Sequence, residues 1–150
     1  MIPSRLHKFA RGVKVLDLSA FLPGPLASLL LADMGAEVLK IEPPPGDAMR
    51  QLGPRDWKGE PLFYDAINAG KTVLRIDLKQ PDARAEFLRL VAEHDVLLEG
   101  FRPGVMQRLG LGYIALKKIN PGLIFCSLSG FGASGPMSQA AGHDANYLAS

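Results

Sequence analysis

Residues 13–42 read VKVLDLSAFLPGPLASLLLADMGAEVLKIE and contain the pattern of one strand, one helix and a second strand. Residues 13–18 form a short apolar run with β-branched members, which predicts a strand. The breaker group Pro23-Gly24-Pro25 predicts a rigid turn, and the apolar residues 26–34 predict a helix after it. Residues 38–42 predict the second strand. A βαβ unit of this kind indicates an α/β protein.

The same alternation continues towards residue 150 after a polar loop, rich in Gly and Pro, over residues 47–61. It predicts a doubly wound, mostly parallel sheet with helices on both faces, and a ligand beyond the carboxyl ends of the strands. We expect residues 1–150 to form one such domain. The predicted strands are 73–78, 96–99 and 123–129, and the predicted helices are 81–93, 103–109 and 113–119.

Composition excludes several classes of partner. Lys and Arg number 17 against 15 Asp and Glu, without basic runs, so a nucleic-acid partner has little support. No apolar stretch is long enough to span a membrane, so no membrane partner is expected. The single cysteine, Cys126, cannot form an internal disulfide and is predicted to be a buried strand residue, which favours a reducing, cytoplasmic compartment. The apolar end at residues 147–150, without a cap, suggests a fragment.

A dinucleotide-binding site is the first hypothesis that the strand pattern raises. Glu42 ends the second strand about 20 residues after the first turn, where such folds bind ribose. However, residues 19–28 contain only Gly24, so the G-x-G-x-x-G arrangement that admits a pyrophosphate is missing. NAD binding is therefore not favoured.

Two basic residues stand where a phosphate could bind. Lys71 follows Asn68-Ala69-Gly70, and Arg102 follows the strand predicted at residues 96–99. A guanidinium group ahead of a helix near Pro103 suits a phosphate close to the positive end of the helix dipole. The alternative is a solvated surface arginine, which the residues alone favour.

His143 is the strongest catalytic candidate because an imidazole, a carboxylate and an amide fall within residues 143–146. Imidazole titrates near neutral pH and can accept or donate a proton there. The alternative is a polar helix cap with Asp144 in the first turn, and the pattern alone leaves both open. Motifs for metal, serine or nucleoside triphosphate hydrolysis are absent from the sequence.

Many segments, in order, resemble the family III CoA-transferases in residues and spacing. The resemblance extends from about Gly12 to the end, which makes it more specific than a single motif. Its last segment, residues 141–148, resembles the 2-methylacyl-CoA racemase branch. The matching segments are residues 12–18, 23–25, 31–42, 68–71, 76–79, 95–104, 108–113, 119–121 and 129–132.

This resemblance implies a Rossmann-like N-terminal domain, without the family's second, smaller domain, that binds coenzyme A as part of an acyl-CoA thioester. It implies no prosthetic group, and an interlocked homodimer. It implies that His143 is the catalytic histidine, and that the acidic catalytic residue lies past Ser150. Many relatives carry Arg where this chain has Pro43, which puts one phosphate or adenine contact in doubt. The implied CoA contacts are Lys71, Ile76, Asp77, Leu78, Lys79 and Arg102 at the adenosine diphosphate end, and Gly142, Asp144, Ala145 and Asn146 near the thioester.

Three functions are consistent with these residues. A racemase would interconvert 2-methylacyl-CoA epimers by removing and returning the α-proton, which requires two groups flanking one carbon. A CoA-transferase would instead use a carboxylate that attacks the thioester and forms an anhydride. The third possibility is a fragment that binds CoA without catalysis. The presence of His143 favours the racemase.

Overall fold

The computed structural model describes residues 9–149, except for the side chains of Asp144 and Ala145. Five strands and six α-helices alternate through this part of the chain. The strands are β1 (Lys14–Leu18), β2 (Glu37–Glu42), β3 (Thr72–Arg75), β4 (Val96–Glu99) and β5 (Ile124–Ser127). The helices are α1 (Pro23–Asp33), α2 (Leu62–Ile67), α3 (Pro81–Ala92), α4 (Val105–Arg108), α5 (Tyr113–Ile119) and α6 (Asp144–Leu148).

All five strands pair in parallel in one sheet with the order β3-β2-β1-β4-β5. Leu16 in the middle of β1 is opposite Leu39 on one side and Leu97 on the other. The order changes direction between β1 and β4, because the chain builds outwards from β1 first through β2 and then through β4. Parallel sheets of this topology bind ligands at such a switch point, beyond the carboxyl ends of the strands.

Helices cover the sheet on both faces, which confirms the predicted α/β fold. On one face, Leu16 and Leu97 pack in a fully buried cluster with Phe87 of α3 and Leu116 of α5. On the other face, Val15 belongs to a smaller cluster against which residues of α1 pack. Burial on both sides explains why the central strands carry near-continuous apolar runs.

Several predicted boundaries differ from the structure, among them β5 (predicted 123–129) and α4 (predicted 103–109), and two of the differences have a local reason. Helix α1 begins at Pro23 rather than at residue 26, since proline is tolerated in the first turn of a helix. Strand β3 ends at Arg75 rather than at residue 78, and the Asp77 carboxylate then accepts a hydrogen bond from the Lys79 amide at 3.1 Å, which turns the chain. The predicted loop contains a 3-10 helix, Ala48–Gln51.

The prediction for Cys126 was also wrong, because this side chain is exposed. Its strand, β5, lies at the edge of the described sheet, and Ile124 on the same strand is 62% exposed. In the described part of the chain, no helix is both long and apolar enough to cross a membrane.

Candidate functional site

Two cavities open at the carboxyl edge of the sheet, and they share Ser19 and Ala20 of the turn between β1 and α1. The first, the β3 cavity, is enclosed by the ends of β1 and β2 and by residues 76–79 after β3. The second, the histidine cavity, is enclosed by residues 19–24 and the segments after β4 and β5. Together they form one region at the topological switch point, where the fold predicts a ligand.

The β3 cavity has a volume of about 400 Å³ and contains four of the predicted site residues, Ile76, Asp77, Leu78 and Lys79. Its other walls are mainly apolar and include Ile41, Phe101, Val105 and Leu109. An apolar slot with a few polar groups at its edge is typical of a small-molecule site. An apolar group of a ligand fits the chemistry of this lining.

The histidine cavity is larger, about 870 Å³, and its lining includes the predicted residues Gly142 and His143. His143 directly precedes α6, and its carbonyl accepts hydrogen bonds from the Asn146 and Tyr147 amides at 2.8 and 3.2 Å. The Asn146 side-chain oxygen accepts in return from the His143 amide at 3.0 Å. Asn146 therefore fixes the backbone of His143. The predictions for the Asp144 and Ala145 side chains lie outside the described residues.

Two glycines make room for Tyr147 beside this histidine. A Cβ atom on Gly130 would lie 2.0 Å from the Tyr147 hydroxyl oxygen, and one on Gly142 would lie 1.9 Å from it. The Tyr147 ring also packs against Phe131, with ring centroids 5.4 Å apart. The loop after β5 and the segment before α6 therefore close around one aromatic side chain, which places His143 next to that loop.

Lys71 does not join the cavities, although it was predicted to contact CoA. Its buried ammonium group donates to the Pro25 carbonyl at 2.8 Å and to the Asn68 side-chain oxygen at 2.9 Å, and lies 3.4 Å from Asp17 Oδ2. Burial lowers the pKa of Lys71, while the Asp17 carboxylate opposes the shift. Three internal acceptors and complete side-chain burial argue against a phosphate contact for this residue.

Arg102 is exposed and lies beside both cavities along the chain. Gly100 lines the histidine cavity and Phe101 lines the β3 cavity, and Arg102 follows them directly. Its Nη1 donates to the Gln139 carbonyl at 3.2 Å. An exposed guanidinium group in this position retains donors for an anionic ligand.

Glu42 is not available as a ribose ligand, which removes the main support for a dinucleotide site. Its Oε1 accepts from Arg50 at 3.0 Å and from the Tyr64 hydroxyl, and its Oε2 accepts from Arg50 at 2.9 Å and from the Asp47 amide at 3.2 Å. Burial alone would raise the pKa of Glu42, but the hydrogen bonds from Arg50 and Tyr64 outweigh it and lower the pKa. Both carboxylate oxygens are thus already paired.

Sequence reasoning missed Asp17 and Lys40, two buried charges beneath the shared turn. A signal was available, because each charge stands inside an otherwise apolar strand pattern, at residues 13–18 and 38–42. Charged residues are almost never fully buried unless they are paired. A charge in a strand covered on both faces therefore predicts a buried partner, although it does not say which one.

Comparisons with known proteins agree with this architecture. The family model described as "CoA-transferase family III" matches residues 11–150. The succinyl-CoA–D-citramalate CoA-transferase of Chloroflexus aurantiacus is 47% identical over 131 residues, covering 87% of this chain and 33% of the relative. The human alpha-methylacyl-CoA racemase is 42% identical over 139 residues, covering 93% of this chain and 33% of the relative.

A solved structure supports the same assignment. The crystal structure of a CAIB/BAIF family protein from Brucella suis matches with a TM-score of 0.86 and 41% identity, covering 91% of this chain and 37% of that one. The chain spans about a third of the length of the curated relatives it matches. With a family model matched over nearly its whole length, this chain belongs to the family III CoA-transferases.

Proposed function

We propose that the complete gene product interconverts the epimers of 2-methylacyl-CoA thioesters, with His143 as one of the two groups that exchange the α-proton. The observation that supports this most is the position of His143 in the larger of two cavities that share Ser19 and Ala20. One elongated ligand can therefore contact both cavities. The resemblance of residues 141–148 to the racemase branch supports the same role.

In this proposal, the β3 cavity receives the adenosine end of coenzyme A. Its apolar walls suit the adenine ring, and the exposed Lys79 at residues 76–79 supplies a positive charge for a phosphate. Arg102 supplies a second charge beside the opening. Pro43 also lines this cavity, in the place where many relatives have an arginine, so Lys79 and Arg102 carry more of the phosphate binding here.

The chemistry requires one proton acceptor and one proton donor on opposite faces of the α-carbon. A thioester carbonyl acidifies the α-proton, one base removes it, and an acid on the other face returns a proton. Imidazole suits either role because it changes protonation near neutral pH. The second group is an acidic residue that lies past Ser150 by resemblance. The pairing of two subunits as an interlocked homodimer stays a prediction.

A CoA-transferase is the second candidate, and it is supported by relatives that carry this name, just as the racemase is. Besides the Chloroflexus enzyme, the acetyl-CoA:oxalate CoA-transferase of Acetobacter aceti is 46% identical over 135 residues. In that reaction a carboxylate attacks the thioester and the acyl group passes through an anhydride. Transfer then requires an aspartate past Ser150 and no proton exchange at the α-carbon, so the two reactions can be told apart.

The test replaces His143 by Ala in the complete gene product and follows both epimers of a 2-methylacyl-CoA in heavy water. We expect interconversion to be lost in both directions, because racemisation needs a donor as well as an acceptor. Deuterium exchange should be lost selectively from one epimer, since an intact acidic partner can still exchange the other. His94→Ala is the matched control, because His94 lies at the end of α3 with its Nδ1 2.6 Å from the Leu90 carbonyl oxygen.

Three results would contradict the proposal. Undiminished racemisation by folded His143→Ala would return His143 to a helix-capping role. Transfer of CoA to a free carboxylic acid by the parent protein, without deuterium entering the α-position, would establish the transferase instead. CoA binding without either reaction would leave a binding protein.

A further inference from the structure

The amide, hydroxyl and carbonyl groups of Ser19 all form hydrogen bonds with two buried charged side chains of opposite sign, Asp17 and Lys40. We infer that Asp17 and Lys40 are positioning residues that fix the turn over residues 19–22, the first two of which line both cavities. The inference rests on the proposed function only for the identity of the ligand. The hydrogen bonds that fix the turn are present in the unliganded protein.

The two charged side chains bind different polar groups of Ser19. Asp17 Oδ1 accepts from the Ser19 amide at 2.9 Å and from the Ser19 hydroxyl. The Lys40 ammonium group donates to the Ser19 carbonyl at 2.8 Å. Asp17 and Lys40 are 0% and 1% exposed, so water does not compete for these contacts.

Each charge is in turn anchored to another element. Asp17 Oδ2 accepts from the hydroxyl of Ser28 in α1. Lys40 Nζ lies 2.9 Å from Asp47 Oδ2, while Asp47 Oδ1 accepts from the Met49 amide at 2.9 Å and caps the 3-10 helix. The turn is therefore tied to α1 on one side and to the segment after β2 on the other.

The turn requires stabilising contacts because its own backbone conformation is unfavourable. Phe21 adopts a φ of 62°, the left-handed region, and is the non-glycine residue with positive φ in the described chain. Residues other than glycine adopt this conformation at a cost, and it persists where the surroundings over-determine it. The side chains of Phe21 and Leu22 are 53% and 50% exposed, so packing contributes little. Buried hydrogen bonds at Ser19 supply the constraint instead.

The geometry also explains why the turn bears on ligand binding. Ser19 and Ala20 line both cavities, whereas Phe21 and Leu22 line the histidine cavity. A shift of the turn would move the apolar lip formed by Phe21 and Leu22 relative to His143. Asp17 lines neither cavity, and Lys40, which lines the β3 cavity, is only 1% exposed. They act through Ser19.

The test measures amide hydrogen exchange over residues 19–22 in the unliganded complete gene product. The variant Lys40→Met with Asp47→Asn removes the charge that holds the Ser19 carbonyl without leaving an unpaired Asp47 charge. We expect exchange of the Ser19 amide, which donates to Asp17 Oδ1, to accelerate about tenfold or more, as for the loss of one hydrogen bond to a charged group. Glu99→Gln is the matched control. It removes a buried charge at the end of β4 that accepts from the Phe101 amide and the Ser127 hydroxyl and does not contact Ser19, and it should leave exchange in the turn unchanged.

Asp17→Asn gives a second measurement from the other side of Ser19, because asparagine keeps the shape of the side chain and removes its charge. In both variants kcat/KM for the acyl-CoA should fall in parallel with the faster exchange, while Tm stays close to that of Glu99→Gln. Unchanged exchange at residues 19–22 would overturn the inference. Amide exchange that accelerates equally throughout β1 and α1 would also overturn it, because Asp17 and Lys40 would then stabilise the whole fold and not the turn in particular. Absence of acyl-CoA turnover in the parent would contradict the proposed function alone.

Discussion

At the scale of single residues, the carboxylate of Glu42 shows how a buried charge is made favourable in this domain. Its two oxygens accept four hydrogen bonds, and the Arg50 guanidinium group stacks 3.7 Å from the centre of the Tyr64 ring. The hydrogen bonds from Arg50 and Tyr64 overcome the effect of burial and hold the pKa of Glu42 below its usual 4.5. A residue that resembles a ribose ligand in sequence is therefore a structural acid.

The lowered pKa predicts how stability depends on pH. A carboxyl group with a depressed pKa in the folded state stabilises the fold above its unfolded pKa, and this contribution disappears as the pH falls through the folded pKa. Glu42→Gln should therefore cost about 2 kcal/mol of unfolding free energy at neutral pH. The cost should shrink progressively below pH 4.5. Urea unfolding at several pH values would measure it, with Glu86→Gln on the exposed surface of α3 as control. If the loss of unfolding free energy in Glu42→Gln does not change with pH, the charge of Glu42 does not stabilise the folded protein.

At the scale of elements, the start of α1 depends on how closely it approaches the turn after β1. A Cβ atom on Gly24 would lie 2.2 Å from Cβ and from Oγ of Ser19. Gly24 is buried in the first turn of the helix and is not among the residues with positive φ, so its backbone would accept alanine. The close approach to Ser19, rather than conformation, requires glycine here.

Gly24→Ala is therefore expected to destabilise the protein, although alanine is the better helix former. Helix propensity favours alanine by about 1 kcal/mol, whereas overpacking costs about 1–3 kcal/mol. A contact of 2.2 Å cannot persist without movement of the turn, so overpacking should prevail. Thermal unfolding should show a lower Tm for Gly24→Ala, and this loss should largely vanish in a Ser19→Gly background. An equal loss in both backgrounds would mean that Ser19 is not the obstacle.

The elements also show what the sequence could and could not predict. The strands and the main helices follow from apolar periodicity, because burial against a neighbouring layer imposes it. Helix α2, only six residues long, carries no such signature and was missed. Partners of charged groups were missed too. Lys71 and Asp17 are 54 positions apart in sequence and meet only in the folded chain, where each also bonds to α1, so a local pattern could not separate a phosphate-binding lysine from a buried one.

At the scale of the whole molecule, large apolar side chains remain exposed in several places. Trp57 is 89% exposed in the loop before α2, and Ile114 on α5 is 70% exposed. Strand β5 presents Ile124 at an edge of the described sheet. Exposed apolar groups and an uncovered strand edge both favour association. These surfaces are where we expect further polypeptide to pack in the proposed interlocked homodimer.

Residues 1–150 expressed alone should therefore be marginally stable and prone to aggregate. Apolar surface that packs against other polypeptide in the complete assembly loses that stabilisation when the partner is removed. Sizing and thermal unfolding at several concentrations would show association that increases with concentration, with a broad transition. Ile124→Glu should reduce association with little change in stability, because the side chain is already 62% exposed. The contrasting change, Ile41→Glu, places a charge at a site only 6% exposed and should abolish folding. A compact monomer that unfolds cooperatively at all concentrations would show that the apolar surface is tolerated, and that this βαβ-based domain folds independently of any partner.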